Sequence, residues 1–305
     1  MRGGLLVFAT VGALVAAPVA YALLAQQPVK TTRLYEQLPA AQTASGVRYF
    51  AWTQNTVAHP RRNDAFLKRG AEMRVKLNTV GHGYLGGIDA PLVVYQQVYR
   101  GQSNIKIYDA DTHARSNPPT GVNTSDWEWE PSISGDWLLY GRQDNQTDTQ
   151  WVYLRSLTST TEVKLDEGLT FRQAGQVNGD YAVWTRCDGA CDVVRRRIST
   201  TTVTVLPKPA TTTYQYGAAV TSTGVVYVAR SGRGCGSGGV KIVRYFGPSD
   251  PANGTVIAAL GSGTDMWSGY ARENADGSVD VFYDRYGCRS NVGDIYRVRD
   301  PAPGP

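Results

Sequence analysis

The chain has 305 residues, with 33 glycines, 15 prolines and a formal net charge of +5. Its only basic run is Arg195–Arg197, and because nucleic-acid-binding surfaces cluster more cations among aromatic side chains, this pattern excludes a nucleic-acid partner. The high glycine content and the scarcity of helical periodicity indicate an all-β chain. No Pro- or Ser-rich linker divides it, so we predict one domain over residues 26–305.

The first 25 residues differ from the rest. Arg2 is followed by an uncharged stretch to residue 25, and Ala20–Ala22 has the small-x-small pattern of a signal-peptidase site. The segment 1–25 is therefore predicted to be a signal peptide. Because its apolar part reaches the ~20 residues that span a bilayer, an uncleaved anchor that tethers the protein through residues 3–25 is the alternative. Either way the protein is exported, to the periplasm, the cell surface or the medium.

After this segment, a unit of about 44 residues recurs. Each copy has a turn followed by a run of apolar and aromatic residues, and the first residue of that run serves as a marker. The markers are 45, 45, 44, 44 and 53 residues apart, which gives six units: Val47, Leu92, Trp137, Tyr181, Val225 and Ser278.

One unit contains four strand-like segments. In the third unit, Ser132–Ser134 precedes a Gly-Asp turn, Trp137–Tyr140 follows it, and Gln150–Arg155 and Glu162–Leu165 complete the set. Four antiparallel strands at this period are typical of a β-propeller blade, because one such sheet buries both faces only between neighbours. The sequence predicts an all-β, six-bladed β-propeller.

The two ends of the sequence suggest how the ring closes. The sixth unit ends after Asp294–Arg299, which corresponds to its third strand, while Thr31–Glu36 is strand-like and precedes the first complete unit. We therefore expect the N-terminal strand to complete the last blade and cover its open edge.

The chain has four cysteines, and export favours disulfides. Cys187 and Cys191 lie in one predicted hairpin loop, whereas Cys235 and Cys288 lie in the matching loops of the next two units. We predict the pairs Cys187–Cys191 and Cys235–Cys288. A zinc site that uses all four is the alternative, although the spacing resembles no common zinc motif.

Aromatic residues precede or begin the first strand of successive units, and positions that are equivalent in a propeller form a circle. We expect these residues to rim one mouth of the central channel and to bind a partner. Wedging between blades is the alternative, and Phe171 is the residue expected to wedge. The predicted binding residues are His82, Tyr84, Trp127, Trp129, Glu130, Arg172, Tyr214, Tyr216 and Trp267.

The other motifs in the sequence give weaker evidence of function. Gly234–Gly239 fits G-x-G-x-x-G but joins two strands, so a dinucleotide site is not expected there. His59 and His113 lie in predicted loops, and Asp144–Asp148 lacks the spacing of a calcium loop. The sequence predicts no catalytic residue, no metal and no cofactor.

The third unit carries a family resemblance. Glu130–Arg142 (EPSISGDWLLYGR) followed by Trp151–Leu157 (WVYLRSL) resembles the blade of TolB-like, WD40-like six-bladed propellers. The resemblance implies an exported bacterial protein that acts by binding other proteins, without catalytic residues in the propeller. It covers residues 31–299 by repetition and is strongest in the third and fourth units.

The predicted function is therefore the binding of an envelope or extracellular protein or glycan by a monomeric propeller. The first alternative is a polysaccharide hydrolase or lyase that uses Glu128, Glu130 and Asp265 as channel carboxylates. The second alternative is a structural envelope protein whose channel is filled by side chains.

Overall fold

The computed structural model describes residues 26–34, 39–56, 59–212, 214–232, 239–247, 249–267, 269–288 and 293–301. These residues form β-strands and connecting turns, and no helix occurs among them. No helix capable of crossing a membrane is found in the described residues. The predicted signal peptide or anchor, residues 1–25, lies outside them.

The strands form five sheets, and three of these have four strands joined in sequence order. The first is β2 (Pro39–Ala44), β3 (Val47–Thr56), β4 (His59–Arg69) and β5 (Val75–Lys76). The second is β6 (His82–Asp89), β7 (Leu92–Tyr99), β8 (Gln102–Asp109) and β9 (Arg115–Ser116). The third is β10 (Trp127–Ser134), β11 (Trp137–Gln143), β12 (Gln150–Ser156) and β13 (Glu162–Gly168).

The fourth sheet has eight strands, in two successive antiparallel sets. These are β14 (Arg172–Asn178), β15 (Tyr181–Asp188), β16 (Ala190–Arg197) and β17 (Val203–Val205), then β18 (Tyr214–Val220), β19 (Val226–Ser231), β20 (Lys241–Tyr245) and β21 (Thr255–Ala259). The fifth sheet contains β1 (Gln26–Leu34), β22 (Thr264–Asp265), β23 (Gly269–Glu273), β24 (Val279–Gly287) and β25 (Gly293–Asp300).

The repeat markers coincide with the second strand of each unit. β3, β7, β11 and β15 begin at the marker itself, and β19 and β24 begin one residue after it. The turn before the marker is made by glycine in the left-handed region, with φ of 54° at both Gly135 and Gly179. The all-β propeller fold is thus confirmed, but the sheets number five rather than six. His59, expected in a loop, is the first residue of β4.

The core lies between neighbouring sheets. The fourth residue of β7, β11 and β15 is a fully buried aromatic, namely Tyr95, Tyr140 and Trp184. Each polar end has a partner: the Trp184 indole N–H donates to the Asp166 carboxylate at 2.6 Å, for example. Because one face of a sheet rests on the next, every sheet needs a neighbour on both sides to complete its burial.

The N-terminal strand closes the last sheet, as predicted. β1 pairs antiparallel with β25, with Gln26 opposite Val298 and Gln27 opposite Arg297. The strand covers Gln26–Leu34 instead of the expected Thr31–Glu36, and residues 35–38 lie outside the described part of the chain. The edge of β25 that would otherwise be open is therefore covered by the beginning of the chain.

Deletion of residues 26–34 should lower the free energy of unfolding by on the order of 3 kcal/mol, because several net contributions of main-chain hydrogen bonds are lost together. The change is measured by urea denaturation. Deletion of residues 1–25 alone, which keeps β1, is the control and should leave the midpoint unchanged. Equal midpoints for both deletions would contradict the closure.

Candidate functional site

A pocket of about 350 Å³ lies where the eight-stranded sheet meets the fifth sheet. It is formed by the beginnings of β14 and β18, the hairpin end between β15 and β16, and the segment around β22 and the end of β24. We call it the aromatic pocket. Its lining residues are Phe171, Gln173, Cys187, Cys191, Tyr214, Tyr216, Asp265, Trp267 and Tyr286.

Trp267 connects this pocket to the rest of the fold. Its ring lies 5.4 Å from that of Phe171, at an angle of 59°. Its amide N–H donates to Asp284 Oδ1 at 2.8 Å and its indole N–H donates to Glu130 Oε1 at 3.3 Å. The side chain is half-buried, so it is anchored at its polar edge while part of its ring remains accessible.

Asp265 is the carboxylate of the pocket and is only 6% exposed. Its Oδ1 accepts hydrogen bonds from the Tyr216 hydroxyl and from the Met266 amide at 2.8 Å. Burial raises the pKa of Asp265, because desolvation disfavours the charged form, and the two hydrogen bonds only partly oppose this effect. Burial, followed by the charge of Asp265, also raises the pKa of Tyr216. Buried titratable groups with shifted pKa values, such as these two, are common at functional sites.

Two cavities, of about 40 and 170 Å³, lie between the first strands of the sheets. Glu130 and Gln173 lie at the border of the smaller one. The Gln173 amide donates to the Trp267 carbonyl at 3.1 Å and accepts from the Gly217 amide at 3.3 Å. The aromatic pocket is separate from these two cavities and shares only Gln173 with the smaller one.

One wall of the pocket contains a disulfide bond. Cys187 and Cys191 form the predicted disulfide, with their Cα atoms 4.0 Å apart, at the end of the hairpin of β15 and β16. Cys288 is also disulfide-bonded. Cys235 lies outside the described residues, so the pair Cys235–Cys288 stays a prediction.

Several predicted binding residues do not line this pocket. His82 and Tyr84 lie together on β6, with ring centroids 6.3 Å apart. The Trp127 side chain is 40% exposed, and its indole N–H donates to the Gly101 carbonyl at 3.1 Å, across to the second sheet. Trp129 packs on Gly141 of β11, where an added Cβ would overlap its indole. Three of the predicted binding residues, Tyr214, Tyr216 and Trp267, line the aromatic pocket.

Two charged positions have structural roles. Glu128 is fully buried, accepts from the Thr124 hydroxyl at 2.7 Å and pairs with Arg142 at 3.2 Å. Arg172 is 3% exposed and bridges Asp166 at 3.2 Å and Asp188 at 3.0 Å. These two side chains form ion pairs inside the fold, and their predicted functional roles stay predictions.

The remaining differences concern residues at the pocket. Phe171, expected to wedge adjacent blades together, is half-buried and lines the pocket, with its ring against that of Trp267. Gln173 and Tyr286 were not predicted as site residues. Tyr286 lies opposite Gly293 in the β24–β25 hairpin. Its position near Cys288 could have indicated it, because the cysteines mark the equivalent hairpin ends of successive units, and these ends lie on the same side of the propeller.

A metal site finds no support in the described residues: these contain no group of three or more His, Cys, Asp and Glu side chains placed to hold an ion.

Comparisons with known proteins identify the fold. No family model and no curated protein sequence matches the chain. The structure is similar to TolB from Acinetobacter baumannii, with a TM-score of 0.51 and 13% identity over 83% of this chain and 63% of TolB. It is also similar to an acylaminoacyl peptidase from Pyrococcus horikoshii, with a TM-score of 0.51 and 10% identity over 82% of this chain and 45% of the peptidase.

A puromycin hydrolase mutant complexed with PGG gives a TM-score of 0.52 and 13% identity, over 87% of this chain and 47% of the hydrolase. This chain therefore spans less than two thirds of each of these proteins. At such identities the likeness shows the β-propeller fold alone.

Replacing Arg142 with Met should destabilise the protein by about 3–5 kcal/mol, because it leaves Glu128 charged, buried and without its counter-ion. The free energy of unfolding in urea measures the loss. The double variant Glu128→Gln, Arg142→Met is the matched control and should recover part of it, since the buried charge is then absent. A single variant as stable as the unchanged protein would contradict the role of this pair.

Asp265→Asn should raise the melting temperature at neutral pH. The folded pKa of Asp265 lies above its usual value near 3.8, so the folded state holds its proton more tightly than the unfolded state. Its contribution to stability is therefore present at low pH and is lost as pH rises through the folded pKa. Melting curves of both proteins from pH 3 to pH 8 should diverge with increasing pH. A variant that melts lower at neutral pH would contradict the desolvation of Asp265.

Proposed function

We propose that this chain is a non-catalytic binding protein that takes a group of its partner into the aromatic pocket. The observation that carries the proposal is the convergence of five aromatic side chains from three successive repeats on one pocket. They are Phe171, Tyr214, Tyr216, Trp267 and Tyr286. Binding pockets are concave, mostly apolar and equipped with few polar groups, and 350 Å³ is within their usual size.

The proposal includes a ring of six blades in one domain over residues 26–305. Within the described residues, the two halves of the eight-stranded sheet are joined by one parallel bridge, between Cys191 and Tyr214. We count these halves as two blades, since each is an antiparallel set of four strands that carries its own repeat marker. With the three four-stranded sheets and the sheet closed by β1, the number of blades becomes six.

Export to the periplasm, the cell surface or the medium is part of the same proposal. It is supported by the disulfide at the pocket and by the likeness in fold to TolB, and by the composition of residues 1–25. The partner is then an envelope or extracellular protein or a glycan, and the chain acts as a monomer. Membrane tethering through residues 3–25 is compatible with this function.

A second candidate function is polysaccharide hydrolysis or elimination. Glu128 is excluded from it by its buried ion pair, which leaves Glu130 and Asp265. The raised pKa of Asp265 favours this candidate, because burial that disfavours the carboxylate favours the protonated form that a general acid needs. The two carboxylates would need to be roughly 5 to 10 Å apart on either side of the substrate. Release of soluble sugar from cell-wall polymers, abolished by Asp265→Asn, would establish this activity in place of simple binding.

The binding function is tested by placing a photo-crosslinking amino acid at Tyr214 and exposing the protein to envelope extract. The matched control has the crosslinker at Tyr99, which is aromatic and 42% exposed but lies on β7, away from the pocket. A partner crosslinked from position 214 and not from position 99 supports the site. Equal labelling from both positions would overturn it.

With the captured partner in hand, Tyr214→Ala should weaken binding by about 2 kcal/mol, close to 30-fold in Kd, as expected of an interface anchor. Tyr99→Ala should leave Kd unchanged, and calorimetry measures both. The melting temperature should be nearly the same for the two variants, because both side chains are partly exposed. A Tyr214→Ala protein that binds normally would remove the aromatic pocket from the interface.

A further inference from the structure

The charge of the aromatic pocket is opposite to that of the whole protein. Among the described residues that line it, Asp265 is the one acid, and there is no Lys, Arg or His. The chain as a whole carries a net charge of +5. A ligand that enters this pocket therefore meets a negative site within a basic protein.

Three of the hydrogen-bond donors that the described residues place at the pocket are used internally. The Trp267 indole N–H donates to Glu130, the Gln173 amide donates to the Trp267 carbonyl, and the Tyr216 hydroxyl donates to Asp265. A sugar would need several free donors and acceptors to replace its hydration, because leaving polar groups unpaired is costly. The pocket is thus poorly suited to a neutral glycan.

One hydrogen-bond acceptor at the pocket is still available to a ligand. Among the described residues, both hydrogen bonds to Asp265 reach Oδ1, and none reaches Oδ2. Asp265 belongs to the pocket lining, so its second oxygen is a charged atom able to pair with a ligand. A carboxylate oxygen accepts hydrogen bonds and attracts cations, so the complementary ligand group is a cation.

We propose that the aromatic pocket binds an organic ammonium group, with Asp265 as its counter-ion and the aromatic rings as its walls. Aromatic faces attract ammonium ions, and rings that enclose such an ion are a known mode of recognition. The raised pKa of Asp265 agrees with this arrangement, since an arriving cation offsets the burial that disfavours the carboxylate. The inference rests on the proposed binding function and names the chemistry of its ligand.

The ammonium group has two sources that share its positive charge, and of the two only the lysine ammonium also donates hydrogen bonds. One is the lysine side chain of a protein partner, and the other is a small molecule with a quaternary ammonium group. Each can be compared with a neutral molecule of the same shape: capped lysine with capped norleucine, and choline with its carbon isostere, dimethylbutanol. Titration of the full chain, followed by tryptophan fluorescence and calorimetry, gives Kd for each pair.

In the unchanged protein, the cationic member of at least one pair should bind about tenfold or more tightly than its neutral isostere, which corresponds to roughly 1.4 kcal/mol. Asp265→Asn should remove this preference while leaving the Kd of the neutral member within about twofold. Tyr99→Ala is the control and should retain the preference. The pair that shows the larger preference identifies the source.

Two results would overturn the inference. Equal binding of cationic and neutral members to the unchanged protein would show that the pocket selects shape and not charge, and crosslinking from position 214 would then still support the binding function. No binding of any probe would refute the ammonium site, and if crosslinking from position 214 also failed, the proposed function would fail with it. Because the isostere comparison uses the unchanged protein, it stands even if Asp265→Asn does not fold.

Discussion

The pairing of β1 with β25 is the constraint on which the rest of this structure depends. Each sheet buries its faces against two neighbours, so no sheet is complete until the last one is joined to the first residues of the fold. The cavities between the first strands and the aromatic pocket depend on that arrangement of the five sheets. The pocket depends on it directly, since Asp265 and Tyr286 belong to the sheet that β1 closes.

Much of the fold was predictable because the same pattern recurs along the chain, so that each copy supports the strand assignment of the others. A marker such as Trp137 or Tyr181 is a weak indication of a strand when it is considered alone. The spacing of six such markers makes the assignment strong, and four of them are the first residue of their strand. The turn glycines and the disulfide Cys187–Cys191 followed from the same repeat. The number of separate sheets could not be predicted from the repeat. One parallel bridge, between Cys191 and Tyr214, joins two sets of strands into one sheet, and it depends on the path of a single connection.

The site was only partly predictable, because positions that are equivalent in a repeat have different surroundings. Trp127 and Tyr216 occupy matching positions, yet Trp127 bonds to the neighbouring sheet and Tyr216 bonds to Asp265. The ion pair of Glu128 and Arg142 could have been found by counting, since the two residues are opposite each other in the hairpin of β10 and β11. The convergence of Phe171 and Trp267 could not, because 96 residues separate them and only the ring of sheets brings them together.

The disulfide at the pocket has a consequence for how a ligand is held. A loop that becomes ordered on binding loses conformational entropy, and this loss weakens the affinity. A pocket wall that is already fixed does not lose entropy in this way. The bond between Cys187 and Cys191 ties the end of the β15–β16 hairpin before any ligand arrives, so this side of the pocket is preorganised. Under the proposed binding function, the affinity of this pocket would therefore depend on whether the disulfide is formed.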